Sequence, residues 1–307
     1  MTANRYLGLD LGGTNIKVAV LEQKELASPE VIFTSQHPTN AEGGPQVVTV
    51  GMIEAARVTV AEVGPVATVG IGVPGLFDTE SGEIELFPNL PGPWNGYPLR
   101  DPIGDALDLP AEIINDARAF VLAEGTIGAG RGYSPLVGIT LGTGIGGGIM
   151  IDGRLQLGAF GKAGEIAHQI IVPDGPLCGC GNRGCVEALA KADVLAETAG
   201  APDVETVFHR ARSGDERSLA AIDTAAGFIG IGLANVVTLI GPSRIVIGGG
   251  IAAAGNLILD PIRNAIRSHV TLVPVERIDV VPAELGSFAG AIGAALAGRD
   301  QELVRSR

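Results

Sequence analysis

The chain has 307 residues, of which 46% are hydrophobic and 18% charged, so it is long and apolar enough to bury a substantial core. This composition excludes fibrous, disordered and small disulfide-stapled proteins. The net charge of −13 disfavours nucleic acid and anionic membrane surfaces, so neither is expected as a partner.

Strand and helix patterns alternate along the first half of the chain. Residues 6–21 read as strand, glycine turn and strand, a third strand follows near residues 31–36, and an amphipathic helix runs from about Pro45 to Glu62. A buried strand at residues 66–75 and the strand EIIND, which leads directly into the helix ARAFVLAEG, continue the alternation. This order is typical of an α/β fold.

The second half repeats the opening pattern, because residues 138–151 again read as strand, glycine turn and strand. The sequence therefore predicts two duplicated α/β domains, at residues 1–118 and 119–307, with a ligand cleft between them. A last helix at about residues 287–298 is expected to pack back on the N-terminal domain. The twenty uncharged residues 224–243 have the length of a membrane span, but their glycines and polar residues favour a helix buried in a globular domain.

Glycine turns are the first candidates for a binding site. A P-loop is absent, and the G-x-G-x-x-G at residues 142–147 precedes a strand pattern, which argues against a nicotinamide cofactor. The two hairpin turns could instead present backbone N–H groups to phosphates, or they could be tight turns only. The candidate phosphate-binding residues of these turns and of a third glycine run are Gly12, Gly13, Thr14, Asn15, Lys17, Thr143, Gly144, Gly249 and Gly250.

Three cysteines within eight residues have the spacing of a metal site rather than of a disulfide framework. Cys178, Cys180 and Cys185, together with His168, make the Cys3His set of a closed structural zinc site; the alternative is three free thiols and a surface histidine. Free thiols and the lack of an apolar run of signal-peptide length at the N-terminus predict a cytoplasmic protein. Glu165 and Glu187 flank the set as solvated carboxylates or, if ordered by the metal, as acceptors for sugar hydroxyls.

Several segments together resemble the ROK family of sugar kinases and sugar-responsive repressors. These segments are DLGGTNIKVAV, IINDARA, LGTGIGGGI, GEIAH, CGCGNRGCVEALA and IVIGGGI, and the resemblance spans residues 5–295. It implies two ribonuclease-H-like α/β domains of the actin-like ATPase (hexokinase) type. It also implies ATP-dependent phosphorylation of a hexose such as glucose at its primary hydroxyl, with Mg²⁺ accompanying ATP.

Site roles follow from the same resemblance. Asp116, which by itself could be only a helix N-cap, takes the position of the general base. Asp10 takes a position facing the phosphates and Mg²⁺. The residues implied in sugar binding are Gly75, Asn89, Asn115, Asp116, Glu165, His168 and Glu187.

Two residues depart from the family pattern, Arg118 after Asn-Asp-Ala and Ala167 in Glu-x-x-His, so the preferred sugar could differ from glucose. The alternatives are a kinase for another sugar or a cyclitol, a sugar-responsive transcriptional regulator, and an actin-like assembling or chaperone ATPase. ATP and polyphosphate are both open as phosphoryl donors, and a homodimer is expected.

Overall fold

The computed structural model describes residues 4–25, 27–88 and 90–300. They form two compact units. The N-terminal unit contains the residues up to Ile127, Leu157–Gly161 and the residues from Ser287 onward, and the C-terminal unit contains Gly128–Gln156 and Lys162–Gly286. The boundary expected at residue 118 falls within a helix, Asp116–Ile127, whereas this division follows the end of that helix.

The described strands, in chain order, are β1 (Asn4–Leu11), β2 (Asn15–Gln23), β3 (Glu30–Pro38), β4 (Thr68–Val73), β5 (Leu76–Phe77), β6 (Glu83–Leu86), β7 (Tyr97–Pro98), β8 (Ala111–Asn115), β9 (Leu136–Leu141), β10 (Ile145–Ile151), β11 (Arg154–Leu155), β12 (Arg244–Gly248) and β13 (Asp279–Pro282). The α-helices are α1 (Gly44–Val63), α2 (Arg100–Leu107), α3 (Asp116–Ile127), α4 (Val186–Ala190), α5 (Ala192–Ala199), α6 (Val204–Arg212), α7 (Glu216–Ile240), α8 (Asn256–His269) and α9 (Ala289–Arg299).

The main sheets of the two units have the same topology. In the N-terminal unit the strand order is β3-β2-β1-β4-β8, and in the C-terminal unit it is β11-β10-β9-β12-β13. In each sheet the first three strands along the chain are antiparallel neighbours, and two parallel strands complete the other side. The duplication predicted from the glycine hairpins is confirmed, since β1–β2 and β9–β10 take equivalent places. A smaller sheet, β5-β6-β7, is added to the N-terminal unit.

Local sequence explains where several helices begin and end. The Asp203 carboxylate accepts a hydrogen bond from the Thr206 N–H at 2.7 Å and caps α6. In the same way Asp215 accepts from the Ser218 N–H at 2.8 Å and caps α7, which ends at Gly241 in the left-handed conformation. By length and composition alone α7 could cross a membrane, but more than half of its most apolar stretch is buried in the C-terminal unit, as in a core helix.

Helix α9 packs on the N-terminal sheet with almost no side chains between the two backbones. A Cβ atom built at Gly8 would collide with the carbonyl oxygen of Ala291, and one at Gly70 with that of Ala294. On the other side of α9, a Cβ at Gly293 would collide with the carbonyl oxygen of Ala119 in α3. Glycines on both partners are therefore required by this close approach.

We expect Gly293→Ala to destabilise the protein by about 1 to 3 kcal/mol or more, because neither backbone can yield to the added methyl group. The free energy of unfolding in urea measures this loss. Gly227→Ala is the matched control: a Cβ at this position in α7 meets nothing within 4 Å, and removal of a mid-helix glycine stabilises by up to about 1 kcal/mol. Equal stability of Gly293→Ala and the parent protein would contradict the packing described.

Candidate functional site

The turn between β1 and β2 is held in shape by hydrogen bonds on its inner side. The Gly12 N–H donates to the Asn15 carbonyl oxygen at 3.0 Å, and the Thr39 hydroxyl donates to the Gly12 carbonyl oxygen at 2.7 Å. The Thr39 N–H also donates to the Thr14 carbonyl oxygen at 2.9 Å. Thr39 is buried, whereas Gly13 and Thr14 are exposed, so the turn is rigid and presents its tip outward. Sequence reasoning missed Thr39, since a threonine just after a strand carries no motif.

Asp10 on β1 pairs directly with Lys17 on the neighbouring strand β2. The start of α9 closes over its carboxylate, because a Cβ at Gly290 would lie 2.5 Å from Asp10 Oδ2. Burial and, to a smaller extent, the negative charge of Asp116 raise the pKa of Asp10 to about 7, although the positive charge of Lys17 partly opposes this rise. The structure thus places Asp10, Lys17 and Asp116 within electrostatic reach of one another.

The junction between β8 and α3 divides two roles between neighbouring residues. Asn115 Oδ1 accepts hydrogen bonds from the N–H groups of Ala117 and Arg118 at 3.1 and 3.2 Å, which is the geometry of an N-cap. Asp116 is the first residue of α3, and its Oδ1 accepts from the Ala117 N–H at 2.7 Å. The capping role considered for Asp116 is therefore filled mainly by Asn115.

Asn115 also fixes the turn that follows β4. Its Nδ2 donates to the carbonyl oxygen of Gly75 at 3.2 Å. Gly75 has φ of 93°, and a Cβ there would collide with the carbonyl oxygen of Leu86, so a side chain is excluded at this position. Asn89, which the sequence placed on the loop closing over the sugar, lies outside the described residues. Farther along that loop, Trp94 is buried, with its ring centroid 4.7 Å from that of Phe87.

The turn between β9 and β10 is the C-terminal unit's counterpart of the first hairpin. The Gly142 N–H donates to the Gly144 carbonyl oxygen at 2.9 Å, and Thr143 is exposed at the tip. The third glycine run lies beside this hairpin: Gly249 has φ of 87°, and a Cβ there would collide with the carbonyl oxygen of Leu141 at the end of β9. Gly250 follows it and is exposed. The structure therefore brings together Thr143, Gly144, Gly249 and Gly250.

The histidine and the three cysteines converge on one point. The ligand atoms of His168, Cys178, Cys180 and Cys185 all lie within 4.8 Å of one another. Cys180 Sγ and Cys185 Sγ are 3.7 Å apart, and Cys178 Sγ is 3.6 Å from His168 Nδ1. A tetrahedral zinc ion with ordinary bond lengths requires S···S separations of about 3.8 Å and S···N separations of about 3.6 Å. These two separations match those around such an ion, so the donor set and its spacing fit zinc.

Burial makes the thiolate form of the two buried cysteines, Cys178 and Cys185, unfavourable when no cation is bound. Burial, together with hydrogen bonds to Cys180 and Cys178, raises the pKa of Cys185 to about 12. A divalent metal reverses this balance, because it binds the thiolate form and releases the protons. The chemistry of the cluster is that of a metal site.

His168 and the two glutamates are arranged around the cluster in different ways. His168 Nδ1 faces the thiols, while its Nε2 lies 3.8 Å from Glu165 Oε2. Glu187 is mostly buried; its Oε1 accepts from the Ile145 N–H at 3.1 Å, and its Oε2 lies 3.5 Å from Cys178 Sγ. Glu187 is thus an ordered group between the cluster and the second hairpin rather than a solvated carboxylate.

Both departures from the family pattern are buried. Arg118, 4% exposed, lines a cavity of about 20 Å³ in the N-terminal unit together with Asn115, Thr79 and Glu112. That volume is enough for a single water molecule. Ala167 is 1% exposed. Arg118 therefore belongs to the packing that supports Asn115, and its charge is not displayed on the surface.

The raised pKa of Asp10 predicts a pH dependence of stability. Because the folded pKa of about 7 exceeds the ordinary value of 3.8, the folded chain holds the extra proton between these values. The contribution of Asp10 is therefore fully present below about pH 4 and is lost as the pH rises through about 7. In Mg²⁺-free buffer, Asp10→Asn should gain about 1 to 3 kcal/mol relative to the parent protein between pH 5 and pH 8, measured by urea unfolding.

Asp203→Asn is the control for this measurement. Its hydrogen bond with Thr206 holds the pKa of Asp203 below its ordinary value, so the stability difference from the parent protein should stay constant between pH 5 and pH 8. A constant difference for Asp10→Asn as well would show that Asp10 does not titrate in this range.

Comparison with known proteins extends these observations to the whole chain. Residues 6–300 match the ROK family. The glucokinase of Thermotoga maritima is 33% identical, and the match covers 95% of this chain and 96% of that protein. The structure of a ROK hexokinase from Thermus thermophilus is 34% identical, with a TM-score of 0.82 and coverage of 96% and 98%. That of a ROK glucokinase from Streptomyces griseus, in complex with glucose and AMPPNP, is 33% identical, with a TM-score of 0.78 and coverage of 96% and 99%.

Relatives with other functions are also found. An N-acetylmannosamine kinase of Haemophilus influenzae is 31% identical over 95% of this chain and 94% of its own. A ROK transcriptional regulator, a homologue of the Escherichia coli MLC protein, is 27% identical with a TM-score of 0.80, and the match covers 95% of this chain and 77% of that one. The two α/β units have the actin-like ATPase fold of ROK hexokinases. With a family match over nearly its whole length, the chain belongs to the ROK family.

Proposed function

We propose that this ROK protein is an ATP-dependent sugar kinase that phosphorylates the primary hydroxyl of a hexose, glucose or a close relative of it. The observation that carries the proposal is the β8–α3 junction, where Asn115 caps the helix and Asp116 stands at its first position. The Thermotoga maritima glucokinase and the Streptomyces griseus glucokinase both match almost the full length of the chain, which supports the same activity.

Asp116 acts as the general base. It accepts the proton of the attacking hydroxyl as the oxygen bonds to the γ-phosphorus and ADP leaves. Because Asn115 supplies the main hydrogen bonds to the helix N-terminus, the Asp116 carboxylate is not required as the cap.

Each unit offers a glycine turn to the phosphates of ATP. Gly13, Thr14 and Thr143 are exposed at the tips, Gly144 is half-buried, and the turns present backbone N–H groups and hydroxyls. Lys17 supplies positive charge beside the first turn, and Gly249 and Gly250 leave bare backbone for the nucleoside. Mg²⁺ bound with ATP would neutralise charge on the phosphates, and Asp10 would be the carboxylate that faces it.

The family resemblance implies a set of residues that hold the sugar hydroxyls. In the N-terminal unit these are Gly75, Asn89 and Asn115, and in the C-terminal unit Glu165, His168 and Glu187. His168 serves two purposes with its two ring nitrogens: Nδ1 faces the cysteines, and Nε2 lies on the side of Glu165.

Cys178, Cys180, Cys185 and His168 hold a structural zinc ion. All four tetrahedral positions are filled by protein, so the ion orders the surrounding loop and does not activate water. The loop around the cysteines has few apolar residues, and metal ligation replaces the stability that burial cannot supply.

A transcriptional regulator is the second candidate, favoured by the structural similarity to the MLC homologue. The net charge of −13 and the Asp116 junction favour the kinase. Two observations are compatible with a sugar other than glucose. Arg118, which departs from the family pattern, is buried beside Asn115, and N-acetylmannosamine kinases are among the relatives.

Replacement of the base tests the mechanism. Asp116→Asn keeps the shape of the side chain but removes the proton acceptor, so kcat should fall by about 10² to 10⁴ while sugar affinity, measured by calorimetry, changes far less. Asp105→Asn, at an exposed position on α2, is the control and should retain full turnover. If Asp116→Asn keeps kcat within about threefold of the parent value, Asp116 is not the base. A coupled assay across glucose, mannose, N-acetylated hexoses and inositols identifies the substrate.

Metal content tests the zinc assignment. Protein purified without chelator should contain one zinc ion per chain by elemental analysis, and chelation should increase hydrogen exchange in the loop around the cysteines. A protein without tightly bound metal would refute the assignment.

A further inference from the structure

Helix α4 connects the metal cluster to the second hairpin turn. The helix is only five residues long, and its N-cap is the cluster residue Cys185. Just beyond its other end, the Ala192 N–H donates to the Gly142 carbonyl oxygen in the turn at 3.0 Å. Such a short helix has little stability of its own, so its position depends on what holds its two ends.

Glu187, the second residue of α4, makes the connection from its side chain as well. Its Oε1 accepts from the Ile145 N–H at the far side of the turn, while its Oε2 lies 3.5 Å from Cys178 Sγ and 4.0 Å from His168 Nδ1. A Cβ at Gly144 would lie 2.8 Å from Glu187 Oε1, so the carboxylate occupies the space beneath the turn. The turn is therefore held at both of its strand ends by the short segment from Glu187 in α4 to Ala192, the first residue of α5.

We propose that Glu187 is a positioning residue that couples occupancy of the Cys3His metal site to nucleotide affinity at the Gly142–Ile145 turn. This inference rests on the proposed function, in which that turn binds phosphates. Metal ligation fixes Cys185 at the N-cap of α4, the fixed N-cap holds α4 and with it Glu187, and Glu187 holds the turn in the shape that presents its N–H groups. Without the metal, nucleotide binding must itself order the turn and is weakened by that cost.

Coupling between two binding sites is reciprocal. If the metal increases nucleotide affinity by a given factor, the nucleotide increases metal affinity by the same factor. The metal therefore influences the binding of the phosphoryl donor as well as the binding of the sugar. Coupling between two sites typically changes an affinity by a factor of about 5 to 150. Because two hydrogen bonds hold the turn, we expect the metal to change ATP affinity by about fivefold or more.

The test measures affinity for Mg²⁺-ATP by calorimetry in the absence of sugar. Zinc-loaded parent protein is compared with zinc-loaded Glu187→Ala, Glu187→Gln and Glu197→Ala, with zinc content checked by elemental analysis. We expect Glu187→Ala to bind ATP at least about fivefold more weakly. Glu187→Gln should bind nearly as the parent protein does, because the amide oxygen can still accept from the Ile145 N–H. Glu197→Ala removes an exposed carboxylate on α5 and leaves both hydrogen bonds to the turn in place, so its ATP affinity should be unchanged.

The reciprocal measurement uses the parent protein alone. Zinc release to a chromogenic chelator should be slower with saturating Mg²⁺-ATP than without it, and this readout stands even if Glu187→Ala does not keep its metal. Parental ATP affinity of zinc-loaded Glu187→Ala would overturn the coupling, and so would a rate of zinc release that is the same with and without ATP. Either result would leave the kinase proposal intact. A zinc-loaded parent protein that does not bind ATP would overturn both.

Discussion

The close backbone packing between α9 and the N-terminal sheet is the constraint on which that unit depends. Gly8 and Gly70 on the strands let the helix approach until carbonyl oxygens would touch an added methyl group. At this distance the start of α9 covers Asp10, so the packing that stabilises the unit also buries this carboxylate and raises its pKa. A larger separation would leave Asp10 solvated, with an ordinary pKa.

The fold was accessible from the sequence because the duplicated strand-glycine-strand pattern is local and strongly periodic. The Cys3His cluster could be predicted as well, because the type and spacing of its ligands are visible within one short stretch of sequence. The unit boundary was harder to place: Asp116–Ile127 is a single helix, and the glycine- and proline-containing segment at residues 128–135 marks its end without showing to which unit the helix belongs. Periodicity places elements along the chain and does not assign them to partners in space.

Several contacts of the candidate site could be identified only from the structure, because they join distant segments of the chain. The sequence offered Asp116 as a cap or a base, but only the hydrogen bonds show that Asn115 takes the larger share of capping. Thr39 and Ile145 contribute ordinary backbone or hydroxyl groups, and no residue pattern marks them. The dual contacts of Glu187 likewise depend on how α4 meets the hairpin. Pairwise contacts between distant segments lie beyond what spacing in a single sequence records.

The loop that contains Asn89 holds the chain's one tryptophan, Trp94. Its indole is 3% exposed, packs edge-on against Tyr97 with ring centroids 5.6 Å apart, and donates to the Pro91 carbonyl oxygen at 3.0 Å. Because indole emission depends on the polarity around the ring, the steady-state fluorescence of this protein reports on a single place. The emission maximum is therefore a label-free optical signal for the state of this loop, free of background from any other tryptophan.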